Sequence, residues 1–289
     1  MSFFVYIIFR ILIAIFKLFP FWLLYRISDF WALLLKYVIR YRYKVILNNL
    51  ISSFPEMSKT EIKRLILPIY RNITDILVET IKGYSLKPST VLKRMVVTNI
   101  DLLNELYEKH NGVIGVLGHY GNWEWAGLLA GLTLKCKTVA LYKPLSNKYL
   151  DIFIKNNRSR FGIELSPIYI TANTFDRYLN KKVFYALIAD QSPSNINKAI
   201  WVKFLNKDTA CLHGPEKYAK MYNMPIVYVH INRVKRGYYN VTFELLKDEN
   251  AYNENGKITE WFMQTLEKDI IKSPEQWLWS HRRWKHKKN

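Results

Sequence analysis

Acidic residues are scarce. In 289 residues, 23 Asp+Glu stand against 43 Lys+Arg, a formal net charge of +20. Such an excess calls for an anionic neighbour, whether a membrane surface, a phosphorylated lipid, an acidic carrier protein or a nucleic acid, and charge alone does not choose among them. Cysteine is nearly absent too: Cys136 and Cys211 stand far apart and in no ligand spacing, which excludes a disulfide scaffold and a Cys-rich zinc site. Nothing indicates a metal or a cofactor. The chain lacks a glycine-rich dinucleotide or phosphate loop and has no Gly-x-Ser-x-Gly elbow, so a serine hydrolase would lack its usual nucleophile turn. No repeat, low-complexity run or linker divides residues 85–289. The first nine residues carry no charged side chain and no small-residue cleavage site follows them, which argues against a secretory signal.

What is present is apolar: hydrophobic residues make up 50% and aromatics 15%, enough for one large α/β domain with an appendage. Residues 3–25 are apolar apart from Arg10 and Lys17. The run is long enough to span a bilayer, but its two cations and Pro20 equally suit a segment lying in the interface; the alternative is a buried helical hairpin. Phe30–Ile39 is apolar again and leads into Arg40-Tyr41-Arg42-Tyr43-Lys44, a basic cluster that prefers the cytoplasmic face and anionic lipid. The expected division is 1–45 as N-terminal hydrophobic membrane-anchoring helices and 46–289 as a catalytic domain. Residues 58–82 read as an amphipathic helix with a Ser58/Glu61 capping box, kinked or divided at Pro68.

From residue 113 on, apolar β-rich runs alternate with helical stretches. Strands are expected at 113–117, 138–142, 183–189, 200–204, 225–230 and 239–246, with helices at 147–160, 173–181 and 214–223. This alternation predicts a mixed, mostly parallel sheet flanked by helices, its last two strands an antiparallel hairpin around 233–237.

The chain is organised around Gly118-His119-Tyr120-Gly121-Asn122-Trp123-Glu124-Trp125. His119 falls where the first of these strands ends, the edge at which open α/β sheets bind ligands. On a continuous helix His119 and Glu124 would lie roughly 140° apart at about 3.6 residues per turn; the Gly121-Asn122 turn would let the carboxylate fold back onto the imidazole. A carboxylate-held histidine takes a proton from a hydroxyl near neutral pH, since its free pKa is about 6.5. Alternatively, His119 caps a helix or fills the core, and Glu124 is a solvated first-turn residue.

Other strand ends carry polar groups. Arg158, in Asn157-Arg158-Ser159-Arg160, is a phosphate or carboxylate fork or simply a solvated helix end. Asp190, in Ala189-Asp190-Gln191-Ser192-Pro193, orients Arg158 or a substrate hydroxyl, or merely starts a turn. His213-Gly214-Pro215 opens a helix and reads as structural. The tail 274–288 interleaves Trp with basic groups, as in a single-strand nucleic-acid binder or a membrane-interface segment; beside a hydrophobic N-terminus the second is favoured.

These pieces together resemble the late acyltransferases of lipid A biosynthesis (lauroyl and myristoyl transferases), within the wider His-x4-Asp/Glu glycerolipid acyltransferases. The matching blocks are GHYGNWE, YKPLSNKYLD with NRSRFG, ADQSP, CLHGPEKYAKMYNMPIVYV and PEQWLWSHRRWK, in the family's order over about residues 110–285. The resemblance implies a glycerolipid-acyltransferase-like fold and an inner-membrane enzyme with its site at the cytoplasmic surface. It would move an acyl chain from an acyl-carrier-protein thioester to a hydroxyl of an anionic lipid acceptor, with His119 and Glu124 the catalytic pair and Arg158 and Asp190 binding substrate. Ser192 and the polar stretch 195–198 depart from the more acidic or glycine-rich loop of many relatives and leave the acceptor open: a lipid A precursor first, a lysophospholipid or amino-acid-headed lipid second. Backbone N–H groups near Gly121 and Asn122 would serve an oxyanion, and the Trp123/Trp125 pair the acyl chain. The rival from another class is a membrane-tethered protein that binds anionic lipid or nucleic acid; ordered polar residues at strand ends disfavour it, and nucleic acid with it. A hydrolase, with water in place of the acceptor, is a third reading.

Overall fold

The computed structural model describes residues 2–288. Helices α1 (Ser2–Leu18), α2 (Phe21–Leu33), α3 (Tyr43–Ser53), α4 (Lys59–Gly83) and α5 (Pro88–Arg94) precede the first strand. Then follow β1 (Met95–Val97), α6 (Asp101–Lys109), β2 (Gly112–Leu117), α7 (Trp123–Thr133), β3 (Lys137–Tyr142), α8 (Lys148–Ser159), β4 (Ile163–Pro167), α9 (Thr171–Arg177) and β5 (Val183–Ile188). The chain continues through β6 (Ile200–Phe204), β7 (Lys207–Cys211), α10 (Gly214–Met221), β8 (Ile226–Lys235), β9 (Tyr238–Leu245) and α11 (Lys257–Lys272).

Seven strands form one sheet in the order β1-β9-β8-β2-β5-β3-β4. Only the β8–β9 pair is antiparallel, as the sequence pattern predicts. β2 is buried along its whole length, and side-chain alternation divides it between two cores. Ile114 and Val116 join the cluster under α3, α4 and α11. Val113 and Leu117 join the cluster under α6 and α7. A sheet covered on both faces needs apolar residues on both.

Four expectations are corrected. The 200–204 strand does not enter the main sheet. It pairs with β7 in a separate antiparallel ribbon, because Leu205 (φ 49°) and Asn206 (φ 64°) close a two-residue turn between them whose left-handed residues match the twist of a hairpin. Pro68 does not divide its helix, which runs unbroken for 25 residues from the Ser58/Glu61 capping box; Ile62, Ile66, Ile69 and Tyr70 bury the rod on both sides of the missing N–H.

The third correction concerns the N-terminus. Residues 3–25 are not one helix: Pro20, extended at φ −68° and ψ 156°, separates α1 from α2. Among the described residues no helix is long and apolar enough to cross a membrane. α1 and α2 lean on α4, and Lys82 Nζ donates to the carbonyls of Phe16, Lys17 and Phe19 at 2.8–2.9 Å, closing the end of α1. Their outer side remains apolar and exposed, with Phe4, Ile8, Ile11, Leu18 and Trp22 in the open.

The tail is also not a free surface segment. Trp277, Trp279 and Arg283 are among the most buried side chains in the molecule. Arg283 donates to Ala210 O at 2.6 Å and Trp284 to Thr209 Oγ1 at 2.8 Å, so the Trp/Arg pattern is a packed strap against the β6–β7 ribbon.

Candidate active site

The site grows from strand register. β2 and β5 are parallel neighbours with Leu117 opposite Ile188. Two residues beyond each strand end, in step, come His119 and Asp190. Asp190 Oδ1 accepts from His119 Nδ1 at 2.6 Å, and Oδ2 accepts from the His119 backbone N–H at 2.9 Å. Oδ2 also accepts from Trp277 Nε1 at 2.8 Å. Burial of Asp190 alone would raise its pKa, but the His119 charge and these hydrogen bonds overcome it and hold the carboxyl at about 2. Burial disfavours the His119 imidazolium; the charge and hydrogen bond of Asp190, with Glu124 adding, outweigh it and raise the pKa above 6.5. Nδ1 thus carries its proton towards Asp190, which leaves Nε2 as the basic nitrogen. The side-chain nitrogen of Gln191 lies 3.3 Å from Nε2, and Trp123 meets the ring edge-on at 5.0 Å.

Glu124 does not hold the imidazole. α7 begins at Trp123, capped by Asn122, whose Oδ1 accepts from Trp125 N at 2.9 Å. From the first turn of α7 the Glu124 carboxylate faces the end of α8, where Arg158 takes both oxygens, at 3.0 Å through Nε and 2.5 Å through Nη2. The expected partners are therefore exchanged: Asp190, expected on Arg158 or the substrate, holds His119, and Glu124, expected on His119, holds Arg158. The carboxylate five residues away is separated from the ring by a helix start, whereas the one 71 residues away sits on the adjacent strand end.

The turn between them is tightly built. Gly121 has φ +60°, and a Cβ there would stand 2.5 Å from Ile231 O. Its N–H donates to Gln276 O at 3.2 Å, so the expected oxyanion donor at Gly121 is already engaged. Trp125 is fully buried, with Nε1 donating to Glu79 O at 2.9 Å; of the two tryptophans only Trp123 is left beside the ring to meet a substrate.

Beneath the turn lies a polar network that sequence reasoning missed. Glu79 Oε2 accepts from Asn122 Nδ2 at 2.6 Å and Tyr239 Oη at 2.8 Å, and Oε1 accepts from Tyr25 Oη at 2.8 Å. Burial pushes the Glu79 pKa up against these bonds. One turn earlier Asp75 meets Arg233 at 2.5 Å and Arg236 at 2.6 Å. Asn72, Asp75 and Glu79 recur at helical spacing on the buried side of α4, which was the available signal. His281 is the other missed neighbour. Burial, with Arg283, His119 and Lys285 nearby, lowers its pKa to about 4 despite Asp190, and its neutral Nε2 accepts from Ser192 N at 3.1 Å. His213 opens α10 as expected. Among the described residues no group of three or more His, Cys, Asp or Glu could hold a metal ion.

A parallel sheet ending in a carboxylate-held imidazole at its open edge defines an α/β enzyme equipped for general-base chemistry. The family model described as bacterial lipid A biosynthesis acyltransferase matches residues 1–286, and the chain belongs to that family. It is an acyltransferase. Similar proteins include the lipid A biosynthesis palmitoleoyltransferase of Escherichia coli (strain K12), 23% identical over 254 residues, covering 86% of this chain and 80% of that one. A lipid A biosynthesis acyltransferase of Shigella flexneri matches with the same identity and coverage.

Proposed function

We propose that this acyltransferase moves a fatty acyl chain from an acyl-carrier-protein thioester to a hydroxyl of a lipid A precursor, on the cytoplasmic side of the inner membrane. The observation that carries the mechanism is the 2.6 Å bond from His119 to the buried Asp190. With Nδ1 protonated, Nε2 takes the proton of the acceptor hydroxyl. The oxygen attacks the thioester carbonyl, the C–S bond of the tetrahedral intermediate breaks, and the thiolate recovers the proton from Nε2. Asp190 steadies the imidazolium while the proton is on the ring. No covalent enzyme intermediate is needed.

Glu124 and Arg158 act as a pair. Their fork-on-fork contact fixes the end of α8 against the first turn of α7 and sets a charged wall beside His119. Acceptor phosphate approaching Arg158 would compete with Glu124 for the guanidinium. The exposed apolar side of α1 and α2 supports an interfacial seat on the bilayer, and the net charge of +20 suits both an anionic lipid and an acidic carrier.

The test is transfer from acyl-carrier-protein to lipid acceptor in membranes carrying His119→Ala, which should lose activity by about 10²–10⁴-fold. Transfer near the wild-type rate would remove the mechanism. Release of free acid at the same rate with and without acceptor would instead identify a hydrolase.

A further inference from the structure

A cleft of about 440 Å³ opens between α1 and α8, away from His119. Tyr6 and Tyr149 line it as a stacked pair, centroids 6.1 Å apart and planes 29° apart. Phe153 adds a third ring, with the Arg10 guanidinium 5.0 Å above it. Arg10 also donates to Tyr6 Oη at 2.7 Å. Arg160 closes the inner end, fixed by the carbonyls of Gly83 at 2.6 Å, Tyr84 at 2.7 Å and Leu86 at 3.1 Å.

The charge of this cleft is uncompensated. Among the described residues Arg71, Arg158, Arg177, Arg233 and Arg236 meet a carboxylate, and the remaining arginines do not. Arg10 and Arg160 meet none among the described residues, and no described residue lining the cleft is acidic. Two guanidinium groups on one open cleft lined by aromatic rings concentrate positive potential there. Arg160 has most of its donors satisfied by carbonyls, so its contribution is mainly field. Arg10 keeps a free edge of its fork, the geometry that grips a phosphate by two oxygens.

Position narrows the ligand class. The helix that carries Arg10 also exposes Phe4, Ile8 and Ile11, so the cleft borders the face proposed to rest on lipid. Asn157 lines both this cleft and the small recess formed by Glu124, Arg158 and Tyr84, so the two share a wall. We propose that the α1–α8 cleft is a phosphate subsite for an anionic lipid headgroup, gripped by Arg10 and backed by the field of Arg160. The headgroup belongs either to the bilayer or to the acceptor; only the acceptor arm of the test rests on the lipid-transferase reading.

In the first arm the full chain is floated with phosphatidylcholine vesicles, with and without phosphatidylglycerol. Arg10→Gln should weaken the phosphatidylglycerol-dependent part of binding by roughly ten-fold or more, as expected when a hydrogen bond to a charged group is lost. Lys17→Gln, on the same helix but outside the cleft, should weaken it no more than about five-fold, the effect of one basic residue near an anionic surface. In the second arm, transfer is assayed in neutral detergent micelles free of phospholipid, where Arg10→Gln should raise KM for the acceptor if the acceptor supplies the phosphate. An effect in either arm supports the subsite and names its source. Equal losses for Arg10→Gln and Lys17→Gln in flotation, with KM unchanged, would overturn it. A wild-type chain inactive in the second arm would count against the proposed lipid acceptor and leave flotation to decide the subsite.

Discussion

Asp190 fixes which nitrogen of His119 is basic, so its removal should change the pH profile as well as the rate. On the proposed mechanism His119 works only when unprotonated, and its pKa is raised above 6.5; activity should therefore rise with pH through an acid limb above that value. Asp190→Asn keeps acceptors for Trp277 and the His119 backbone while removing the charge. It should lower kcat by about 10²–10⁴-fold and move the acid limb of whatever activity remains to lower pH. Glu124→Gln removes a smaller influence on the ring and loosens Arg158 instead, so its limb should move less. Measured kcat/KM against pH for both variants checks the exchange of partners; a larger shift for Glu124→Gln would overturn it.

Between elements, the clearest clamp joins β8, β9 and α11. His230 Nδ1 lies 2.9 Å from Asp269 and Nε2 lies 3.0 Å from Glu244. Burial opposes the charged ring, but the two carboxylates prevail and raise its pKa above 6.5. A group with a raised folded-state pKa contributes stability that is complete below its unfolded pKa and lost as pH rises through the folded one. The chain should therefore become easier to unfold as pH climbs above 6.5, and His230→Gln should flatten that dependence, as read from urea midpoints over the same range. Asp269 O also accepts from Tyr120 Oη at 3.0 Å, so this clamp borders the turn that carries His119. Many of these elements were legible from periodicity alone: β2, β3, β5, the capped α4 and the β8–β9 hairpin lie where alternation and turn residues put them, whereas the edge strand β4 and the ribbon strand β7 were not read from the sequence. The pairing order was not. Nothing local says that β5 lies beside β2, and without that adjacency Asp190 cannot be brought to His119. Glu124 was the better local candidate because sequence spacing registers near neighbours and is blind to neighbours across a sheet. The tail misled for a related reason: Trp and Arg serve an interface and a buried strap equally well, and only the β6–β7 ribbon, closed by an unpredicted turn at Leu205-Asn206, decides between them.

On the scale of the whole molecule, charge and apolar exposure are separated in kind. The positive excess is distributed along the chain, while many of the exposed large hydrophobic side chains lie on α1, α2 and the turn after them. An interfacial seat predicts that replacing Ile8 and Ile11 together by Ser moves much of the protein from the membrane fraction to the supernatant. Each fully buried Ile side chain is worth about 1.5–3 kcal/mol in transfer. The thermal midpoint should stay within a few degrees, since both side chains are already exposed. Fractionation together with a melting curve checks this; unchanged partition would dissociate the apolar face from the bilayer.

The Trp277 indole reaches back 87 positions to the same oxygen of Asp190 that the His119 backbone uses. During synthesis every strand of the sheet leaves the ribosome before that tryptophan does. A nascent chain thus lacks both the last hydrogen bond on its aspartate and the buried strap until its final residues emerge, and a premature stop just ahead of Trp277 should lower the melting temperature as well as turnover.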